Sequence, residues 1–426
     1  MRAQMVTWSC SPGAVLAQKN RKKLTYMASI LFMTTRIPYP PWEGHQIRTF
    51  NLLKAACSRH DVHLLSFVRR EEDVSHAAIL RDMCTSVELV DIPLERNRLL
   101  FLLDLLKGIA TEQPFVVRKY RASCMEETMC RQIERCSPDL IHIDMLPLAQ
   151  YMPLAKGRSV VLNEHNVESL LVQRRAEGYR SLPHRLFFSA QARKLRRFET
   201  WACRRAARIL ACSPDDAATL QKMAGVRSVE VVANGVDVDY FAPSETPEHD
   251  PNNIVFVGSM AWFPNRDGIE FFLQQVMPLV RRRIPEATFT IVGKTDSLAV
   301  PAGLRENVTL TGFVEDLRPW VRRAGVYVVP LRVGSGTRLK LLEAMAMAKP
   351  IVSTTIGCEG VAVEHGRELL IADEARHMAQ AICQLMEDRE LALRLAHNAR
   401  NRAVERYDWE QLGGQLLDLY QEVLQQ

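Results

Sequence analysis

The sequence lacks the long apolar runs that exported and membrane-embedded proteins carry. Across 426 residues, no stretch reaches the ~18 consecutive apolar residues of a membrane-spanning helix, and the N-terminus has no hydrophobic signal segment. The sequence therefore predicts a protein that is neither exported nor integral to a membrane. We expect it in the cytoplasm, with peripheral attachment to the inner face of the cytoplasmic membrane as an open alternative.

Closely spaced cysteines are missing as well. The ten cysteines are dispersed singly, and no Cys-x-x-Cys or Cys/His spacing typical of a metal site occurs. Dispersed thiols in an intracellular protein are usually reduced. The sequence therefore predicts neither a disulfide scaffold nor a metal site, and no cofactor is expected.

The chain also has no strong excess of either charge. Its formal net charge is +6, with 24% charged and 47% hydrophobic residues, which is the composition of an ordinary globular protein. The length is sufficient for two or three hydrophobic cores. The modest positive charge favours an anionic partner without choosing among nucleotide, phospholipid and nucleic acid.

From residue 28 onward, short β-branched segments alternate with longer helical stretches. This alternation is typical of parallel sheets built from βα units. A linker-like segment at 231–253, rich in Pro, Asn, Asp and Glu, separates two such series. The pattern predicts an α/β protein in which two doubly wound Rossmann-like domains face a cleft. The strand segments are 29–34, 61–67, 86–92, 139–144 and 159–164 in the first series, and 253–258, 288–293, 307–312, 326–331 and 349–354 in the second.

We expect the boundary between the two domains near residue 245. Residues 1–26 precede the first strand pattern and are predicted to be either a disordered tail or an over-extended start, with Met27 as the alternative initiator. The N-terminal domain then takes residues 27–245, and the C-terminal domain takes residues 246–405. Residues 406–426 are predicted to form a C-terminal helix, with packing against the N-terminal domain as one option.

The stretch PLRVGSGTRLKLLEAMAMAKP at 330–350 contains an unusual helix start. Arg338 and Lys340 lie in the first predicted turn, where backbone N–H groups already create a positive potential and acidic residues are common. Ser335 or Thr337 can cap a helix that begins near Arg338. A bound phosphate would explain the two cations. Its further ligands would be the backbone N–H groups of Gly334, Ser335, Gly336 and Thr337.

Glu343 lies about one turn deeper on nearly the same helix face as Lys340. Its carboxylate can accept hydrogen bonds from a vicinal diol such as a ribose. In the alternative interpretation, Glu343 pairs with Lys340 and the cations are simply solvated. Spacing alone leaves both interpretations open.

Several ordered motifs, spread over about residues 28–410, together resemble one enzyme family. They are NGVDVDYF at 234–241, VGSMAWFPNRDGIEFF at 257–272, LKLLEAMAMAKPIVST at 339–354 and GCEGV at 357–361. In this order they resemble the retaining glycosyltransferases of family 4, which have the GT-B fold of two Rossmann domains. The stretches 36–57 and 334–346 resemble, within that family, a bacterial group associated with exopolysaccharide biosynthesis and exosortase systems.

The resemblance implies a function for each domain. The C-terminal domain would bind a nucleotide-diphosphate sugar, and the N-terminal domain would face the acceptor. The sugar would pass to a glycan or a polyprenyl-diphosphate-linked acceptor with retention of anomeric configuration and without metal. Positioned N–H groups and cations can stabilise the diphosphate leaving group.

The family motifs also assign roles to residues of the C-terminal domain. Glu343 matches the second of two family glutamates, the one that binds the nucleotide ribose, and the first glutamate falls on Ser335. Arg338 and Lys340 would then stabilise the leaving diphosphate. A family arginine and a family lysine that follow the first strand of this domain fall on Ser259 and, approximately, on Asn265 or Arg266.

In the N-terminal domain, His165 matches the active-site histidine of the family and is expected beside the donor sugar. Gly44 opens a helix where the backbone can approach the donor diphosphate, and Glu43 replaces a second family glycine. Further residues are second-rank candidates because they lie near the carboxyl ends of predicted strands, where ligands bind. They are His142, Asp144, Glu164 and Asn166.

Residues 174–208 form a strongly basic segment, with eleven Arg or Lys against Glu177 and Glu199. It can dock on an anionic membrane surface that carries the acceptor, or it can be a solvated helix. The segment 96–108 is a second candidate for membrane contact or a core helix. Nucleic acid is not expected as a partner, because the basic segment lacks regularly interleaved aromatic residues.

Two other kinds of function fit the same fold. One is a nucleotide-sugar epimerase or phosphorylase. The other is a non-catalytic protein that binds nucleotide sugars or nucleic acid. The EAMA and NGVD motifs favour the transferase.

Overall fold

The computed structural model describes residues 27–41, 43–68, 76–92, 111–178, 181–244, 249–295, 298–334 and 336–425. The predicted tail 1–26, the segment 96–108 and Ser335 lie outside the described residues.

Two parallel sheets organise the protein, which confirms the predicted α/β fold of two Rossmann-like domains. The first sheet has seven strands in the order β3-β2-β1-β4-β5-β6-β7, and the second has six in the order β10-β9-β8-β11-β12-β13. The first sheet contains β1 (Ser29–Thr34), β2 (Asp61–Val68), β3 (Ser86–Asp91), β4 (Leu140–Asp144), β5 (Ser159–Asn163), β6 (Arg208–Ala211) and β7 (Glu230–Val231). The second contains β8 (Asp250–Val257), β9 (Thr288–Val292), β10 (Val308–Leu310), β11 (Ala324–Val329), β12 (Ile351–Ser353) and β13 (Leu370–Ile371).

Helices connect the strands and cover both faces of each sheet. In the first half of the chain they are α1 (Gly44–Cys57), α2 (Ala77–Met83), α3 (Phe115–Lys119), α4 (Ser123–Cys136), α5 (Glu168–Gly178), α6 (Leu182–Arg205) and α7 (Pro214–Ala224). In the second half they are α8 (Phe263–Phe271), α9 (Met277–Arg283), α10 (Arg318–Arg323), α11 (Leu339–Ala346), α12 (Ala375–Glu387), α13 (Arg389–Arg406) and α14 (Trp409–Leu424). Leu146–Ala155, Ala302–Asn307 and Ile356–Cys358 are 3₁₀ helices, and Phe272–Val276 is a π-helical turn between α8 and α9.

Strand alternation decides which side chains reach each face of the first sheet. In β4, Ile141 and Ile143 enter the core shared with α4 and α6, whereas Leu140 enters the core shared with α1 and α14. In β5, Leu162 belongs to the first of these cores and Val161 to the second. The period of two therefore places Asp144 and Asn163 on the α1 side of the sheet.

The C-terminal helix α14 packs on the first sheet, although the chain reaches it from the second domain. Leu412, Leu416 and Tyr420 are buried in the core that also contains residues of α1. The return is anchored where Val236 donates its N–H to the Tyr407 carbonyl at 2.7 Å. Gly235 allows this close approach, since a Cβ there would lie 2.8 Å from the same carbonyl oxygen.

No helix in the described part of the chain is both long and apolar enough to cross a membrane.

Candidate functional site

The candidate site lies where the carboxyl ends of β4 and β5 face the start of α11 in the other domain. The starts of α1 and α11 nearly touch, because a Cβ at Gly44 would lie 3.4 Å from Leu339 Cδ1. Gly44 is the first residue of α1, and it is exposed. The predicted close approach at Gly44 is therefore, in this structure, an approach to the opposite helix.

Asp144, at the end of β4, is the centre of a buried hydrogen-bond network. Thr49 Oγ1 donates to Asp144 Oδ2 at 2.6 Å, and Asn163 Nδ2 donates to Asp144 Oδ1 at 2.6 Å. His165 Nε2 lies 2.9 Å from Asp144 Oδ1, which fixes the plane of the imidazole ring. Burial alone would raise the pKa of Asp144, but the charges and hydrogen bonds of His165 and His142 outweigh it and hold the pKa well below its usual range.

Arg48 of α1 extends this network to the segment that leads into the linker. Its guanidinium is almost fully buried, and Nη2 donates to Asn163 Oδ1 at 2.8 Å. Nη1 donates to the carbonyls of Val232 at 2.7 Å and Ala233 at 3.0 Å. Arg48 therefore joins α1, β5 and the chain after β7, which leaves its charge directed at protein groups and not at the cleft.

His45, on the first turn of α1, is a residue of the site that the sequence motifs did not predict. It is half-buried, and its ring lies near Glu43, with Nδ1 3.6 Å from the Glu43 carboxylate. Burial and the neighbouring His165 lower the pKa of His45 to about 4. His45 is therefore a neutral imidazole near His165 at physiological pH.

Two second-rank predictions are corrected by the structure. His142 is completely buried, stacks on Phe32 with ring centroids 4.1 Å apart, and shares a 2.8 Å hydrogen bond between its Nδ1 and the Tyr420 hydroxyl. It lies two residues before the end of β4, where α14 covers it, so it does not face the cleft. Burial lowers its pKa.

Glu164 is the second correction. It lies on the opposite face from Asn163 because side chains alternate along a strand. It is 1% exposed, and burial together with Glu199 and Glu168 raises its pKa well above the usual range. Glu164 is therefore a buried neutral acid and not a cleft residue. Asn166, in contrast, does line a cavity between the domains.

On the opposite wall, Lys340 lies under the turn that follows β8. Its Nζ donates to Asn265 Oδ1 at 2.8 Å and lies 4.2 Å from the centre of the Phe256 ring. The alternative in which Lys340 pairs with Glu343 is therefore not what the structure shows. Gly258 leaves room for the amine, since a Cβ there would be 2.7 Å from Nζ.

Electrostatics at this wall favour an incoming anion. Burial and the nearby Arg338 lower the pKa of the Lys340 amine to about 7, and the charge of Glu343 opposes this shift only in part. Burial also raises the pKa of Glu343 to about 7, against the effect of Lys340. An anion beside Lys340 and Arg338 would restore full charge to the amine.

The predicted cap of α11 by Thr337 is not formed, and Ser335, the other predicted cap, lies outside the described residues. The helix begins at Leu339, and its N-cap residue is Arg338, which makes no side-chain cap hydrogen bond. Thr337 Oγ1 is buried and has no hydrogen-bond partner in the part of the chain that the structure describes. The Arg338 guanidinium lies 5.8 Å from the Trp262 ring and against Gly334, whose Cβ, if present, would be 2.6 Å from Nη2.

Ser259 and Arg266 occupy the edge of this wall. The Ser259 carbonyl accepts a 2.9 Å hydrogen bond from Asn265 Nδ2, and the Arg266 guanidinium lies 6.0 Å from the Phe263 ring. Of the two positions proposed for the family lysine, Asn265 is thus the one that contacts Lys340.

A cavity between the domains adjoins the Gly336–Thr337 turn. Arg174 of α5 forms a 3.6 Å ion pair with Glu359, which follows β12, and so bridges the two domains across this cavity. The cavity is lined by Asn166, Arg174, Ser213, Asp216 and Thr219 from the N-terminal domain and by Gly336, Thr337, Glu359 and Gly360 from the C-terminal domain, among others.

The Asp144 network generates a stability prediction. Replacing Asp144 by Asn removes a charged acceptor of three contacts, so we expect Asp144→Asn to lower the free energy of unfolding at pH 7 by about 2–3 kcal/mol. Because the folded pKa of Asp144 is lowered, this stabilisation is present above the unfolded pKa of about 4 and is lost as the pH falls through the folded pKa. The difference between the proteins should therefore shrink in acid.

Urea unfolding at pH 7 and in acid measures both effects. The exposed Asp61, at the start of strand β2 in the same sheet, provides the control Asp61→Asn, which should change stability by less than about 0.5 kcal/mol. Equal stability of wild type and Asp144→Asn at pH 7 would contradict the network.

Comparison with known proteins relates this geometry to a family. A model described as Glycosyltransferase Family 4 matches residues 42–240, and one described as Glycosyl transferases group 1 matches residues 251–388. The chain is 28% identical over 165 residues to an uncharacterized 44.6 kDa protein in the cps region of Klebsiella pneumoniae, which covers 37% of this chain and 42% of that protein. It is 28% identical over 180 residues to the alpha-D-kanosaminyltransferase of Streptomyces kanamyceticus. That match covers 40% of this chain and 45% of the relative. The chain thus matches less than half of the length of these curated relatives.

The fold has a counterpart among solved structures. The Anabaena protein HepE, crystallised in complex with UDP, shares the fold with a TM-score of 0.63 at 16% sequence identity, over 92% of this chain and 100% of that one. Both domains thus match glycosyltransferase models in the expected order, on a shared two-domain fold. The chain belongs to the family 4 glycosyltransferases of the GT-B fold.

Proposed function

We propose that this protein transfers a sugar from a nucleotide-diphosphate sugar to an acceptor, with the donor bound at the start of α11. The observation that carries the proposal is the arrangement of Arg338, Lys340 and Glu343 on one wall of the cleft, opposite His165. A diphosphate at the turn would contact the two cations and the backbone N–H groups of 334–337. The ribose would then reach Glu343, one turn deeper.

The two cations support a specific chemical role. As the glycosidic bond breaks, negative charge grows on the leaving diphosphate, and preorganised positive groups stabilise that charge. The lowered pKa of Lys340 indicates that its charge is incompletely compensated in the absence of an anion. We propose that Arg338, Lys340 and backbone N–H groups supply this stabilisation by donating hydrogen bonds to the diphosphate.

His165 would contact the transferred sugar, and Asp144 would orient it. The 2.9 Å contact between His165 Nε2 and Asp144 holds the imidazole ring at the carboxyl edge of the first sheet, where 7% of the residue is exposed. We propose that the acceptor attacks the face of the sugar from which the diphosphate leaves. A leaving phosphate oxygen would accept the proton of the acceptor hydroxyl, so that the anomeric configuration is retained.

The donor and acceptor follow from the relatives as proposals. The UDP complex of the Anabaena protein supports a uridine nucleotide as the first donor to test. The cps region in the name of the Klebsiella relative supports a role in exopolysaccharide assembly, with a glycan or polyprenyl-diphosphate-linked acceptor.

The α5–α6 hairpin supports docking on an anionic membrane from the cytoplasmic side. At its tip, Leu182 is 64% exposed and Leu186 is 59% exposed, and Arg185 between them is exposed as well. Farther along α6, Arg193, Arg196 and Arg197 are exposed, whereas Leu195 is buried. Apolar side chains next to arginines are the combination that inserts into an anionic interface.

The donor site is tested by nucleotide binding. We expect one of UDP, GDP, ADP or dTDP, or its sugar conjugate, to raise the melting temperature of the wild type. Glu343→Ala should weaken binding of that nucleotide by roughly 1.5–3 kcal/mol, because it removes a charge-assisted hydrogen bond to the ribose. Isothermal titration calorimetry measures the affinity.

The exposed Glu270, on α8 of the same domain, gives the control Glu270→Ala, which should bind as the wild type does. A wild type that binds no nucleotide in the panel would refute the proposed function. Unchanged affinity in Glu343→Ala would refute the ribose contact. Product analysis with the bound donor then separates a transferase from an epimerase or a phosphorylase.

The membrane proposal is tested by sedimentation with vesicles. Wild type should co-sediment with vesicles that contain phosphatidylglycerol and not with pure phosphatidylcholine, and the double variant Leu182→Glu, Leu186→Glu should remain in the supernatant. Leu393 on α13 is 59% exposed, as Leu186 is, so Leu393→Glu is a matched control that should still bind. Equal binding of the double variant and the wild type would exclude this surface.

A further inference from the structure

At the position where the family resemblance implies a carboxylate near the transferred sugar, this sequence has no acidic residue. Ser335 stands where the family has the first of its two glutamates. Sugar hydroxyls are commonly bound through hydrogen bonds to ionised acceptors, which are stronger than neutral ones. Another acidic side chain beside the Gly336–Thr337 turn could therefore take this role.

Glu359 is the acidic residue of the C-terminal domain that lines the cavity beside this turn. It follows the 3₁₀ turn Ile356–Cys358, just beyond the carboxyl end of β12. Its neighbour Gly360 has a φ of 77°, and a Cβ there would lie 3.0 Å from Thr337 Oγ1. The backbone that carries Glu359 is therefore packed directly against the anion-binding turn.

The loop that holds Glu359 is firmly attached to the sheet. The Gly357 N–H donates to Thr354 Oγ1 at 2.9 Å. Thr355 donates to Asp373 through its N–H at 2.8 Å and through Oγ1 at 2.7 Å. These contacts hold the loop that precedes Glu359 in a defined position on the second domain.

The Glu359 carboxylate lies between an arginine of each domain. Its side chain is 36% exposed and lies 3.6 Å from the Arg174 guanidinium. Its charge raises the pKa of Arg338, although burial of that arginine has the larger, opposite effect. Glu359 thus lies near the proposed diphosphate site and also faces the N-terminal domain.

Asp216, the half-buried carboxylate of the N-terminal domain at this cavity, is already engaged. It accepts a 2.8 Å hydrogen bond from Ser213 Oγ at the start of α7. Burial raises its pKa, and Glu359 adds to that effect. Asp216 is therefore held by the start of its own helix. The partner of Glu359 is the exposed, flexible side chain of Arg174, which a ligand can displace.

We propose that Glu359 binds hydroxyl groups of the donor sugar and so contributes to the choice of sugar. This role rests on the proposed donor site at α11. In the unliganded protein Arg174 occupies the carboxylate, and a bound sugar takes over that contact. The residue acts on the sugar moiety alone, since the ribose and the diphosphate are assigned to Glu343, Arg338 and Lys340.

The test compares the affinity for a nucleotide sugar with that for the bare nucleoside diphosphate. By calorimetry with UDP and UDP-glucose, or the corresponding pair of the nucleotide that binds, Glu359→Ala should weaken binding of the sugar conjugate about tenfold or more. The affinity for the nucleoside diphosphate should stay within about twofold of the wild type, since the carboxylate is not expected to contact it. Glu359→Gln keeps the shape of the side chain and loses its charge. Its affinity for the sugar conjugate should lie between those of the wild type and Glu359→Ala, and its order of preference among sugar conjugates should differ from that of the wild type.

Asp215 also lines the cavity and is exposed, so Asp215→Ala is the control that should bind both ligands as the wild type does. Unchanged affinity of Glu359→Ala for the sugar conjugate would overturn the inference and leave the proposed function intact. An equal loss for both ligands would also overturn it, because the residue would then act on the diphosphate or on folding. Failure of the wild type to bind any nucleotide would refute the proposed function itself.

Discussion

The buried carboxylate of Asp144 is the group on which the rest of the candidate site depends. Its partners come from α1 through Thr49 and from β5 through Asn163, and His165 follows the end of β5. Arg48 then connects Asn163 to the chain beyond β7. Because a buried charge that loses its partner costs about 3–5 kcal/mol, these elements must keep one relative position. The position of His165 in the cleft is a consequence of that constraint.

The facing wall of the C-terminal domain has the opposite electrostatic character. Asp144 is an acid whose pKa is lowered by the neighbouring His165 and His142, whereas Lys340 is an amine whose pKa is lowered by burial and by Arg338. The Asp144 carboxylate is compensated by groups of its own domain, whereas an anion beside Lys340 and Arg338 would raise the pKa of the Lys340 amine again. That difference is consistent with two cations at the helix start, and it supports the proposed placement of the nucleotide diphosphate at the C-terminal wall.

The periodicity of the sequence was enough to predict both sheets, because long central strands such as 29–34 and 288–292 bury nearly every residue. Three short strands escaped prediction, since β6 has four residues and β7 and β13 have two each, too few to show a clear period. For single residues, strand position decided the outcome: Asp144 ends β4, His142 lies beneath α14, and Glu164 faces away from Asn163. The pairings of Lys340 with Asn265 and of Arg174 with Glu359 join residues far apart in the chain. The first depends on packing within the C-terminal domain and the second on packing between the domains, and neither follows from a local pattern.

The most direct test of the account is the proton balance of nucleotide binding. Titration calorimetry of the bound nucleoside diphosphate at pH 8, in buffers of different ionisation enthalpy, measures the number of protons taken up. Because the pKa of Lys340 is about 7 without ligand, its amine is mostly neutral at pH 8, and a diphosphate beside it should raise that pKa again. We expect an uptake of about one proton in the wild type, from the single amine that recharges, and none in Lys340→Met. Binding without proton uptake, or with the same uptake in Lys340→Met, would contradict the placement of the diphosphate at the start of α11.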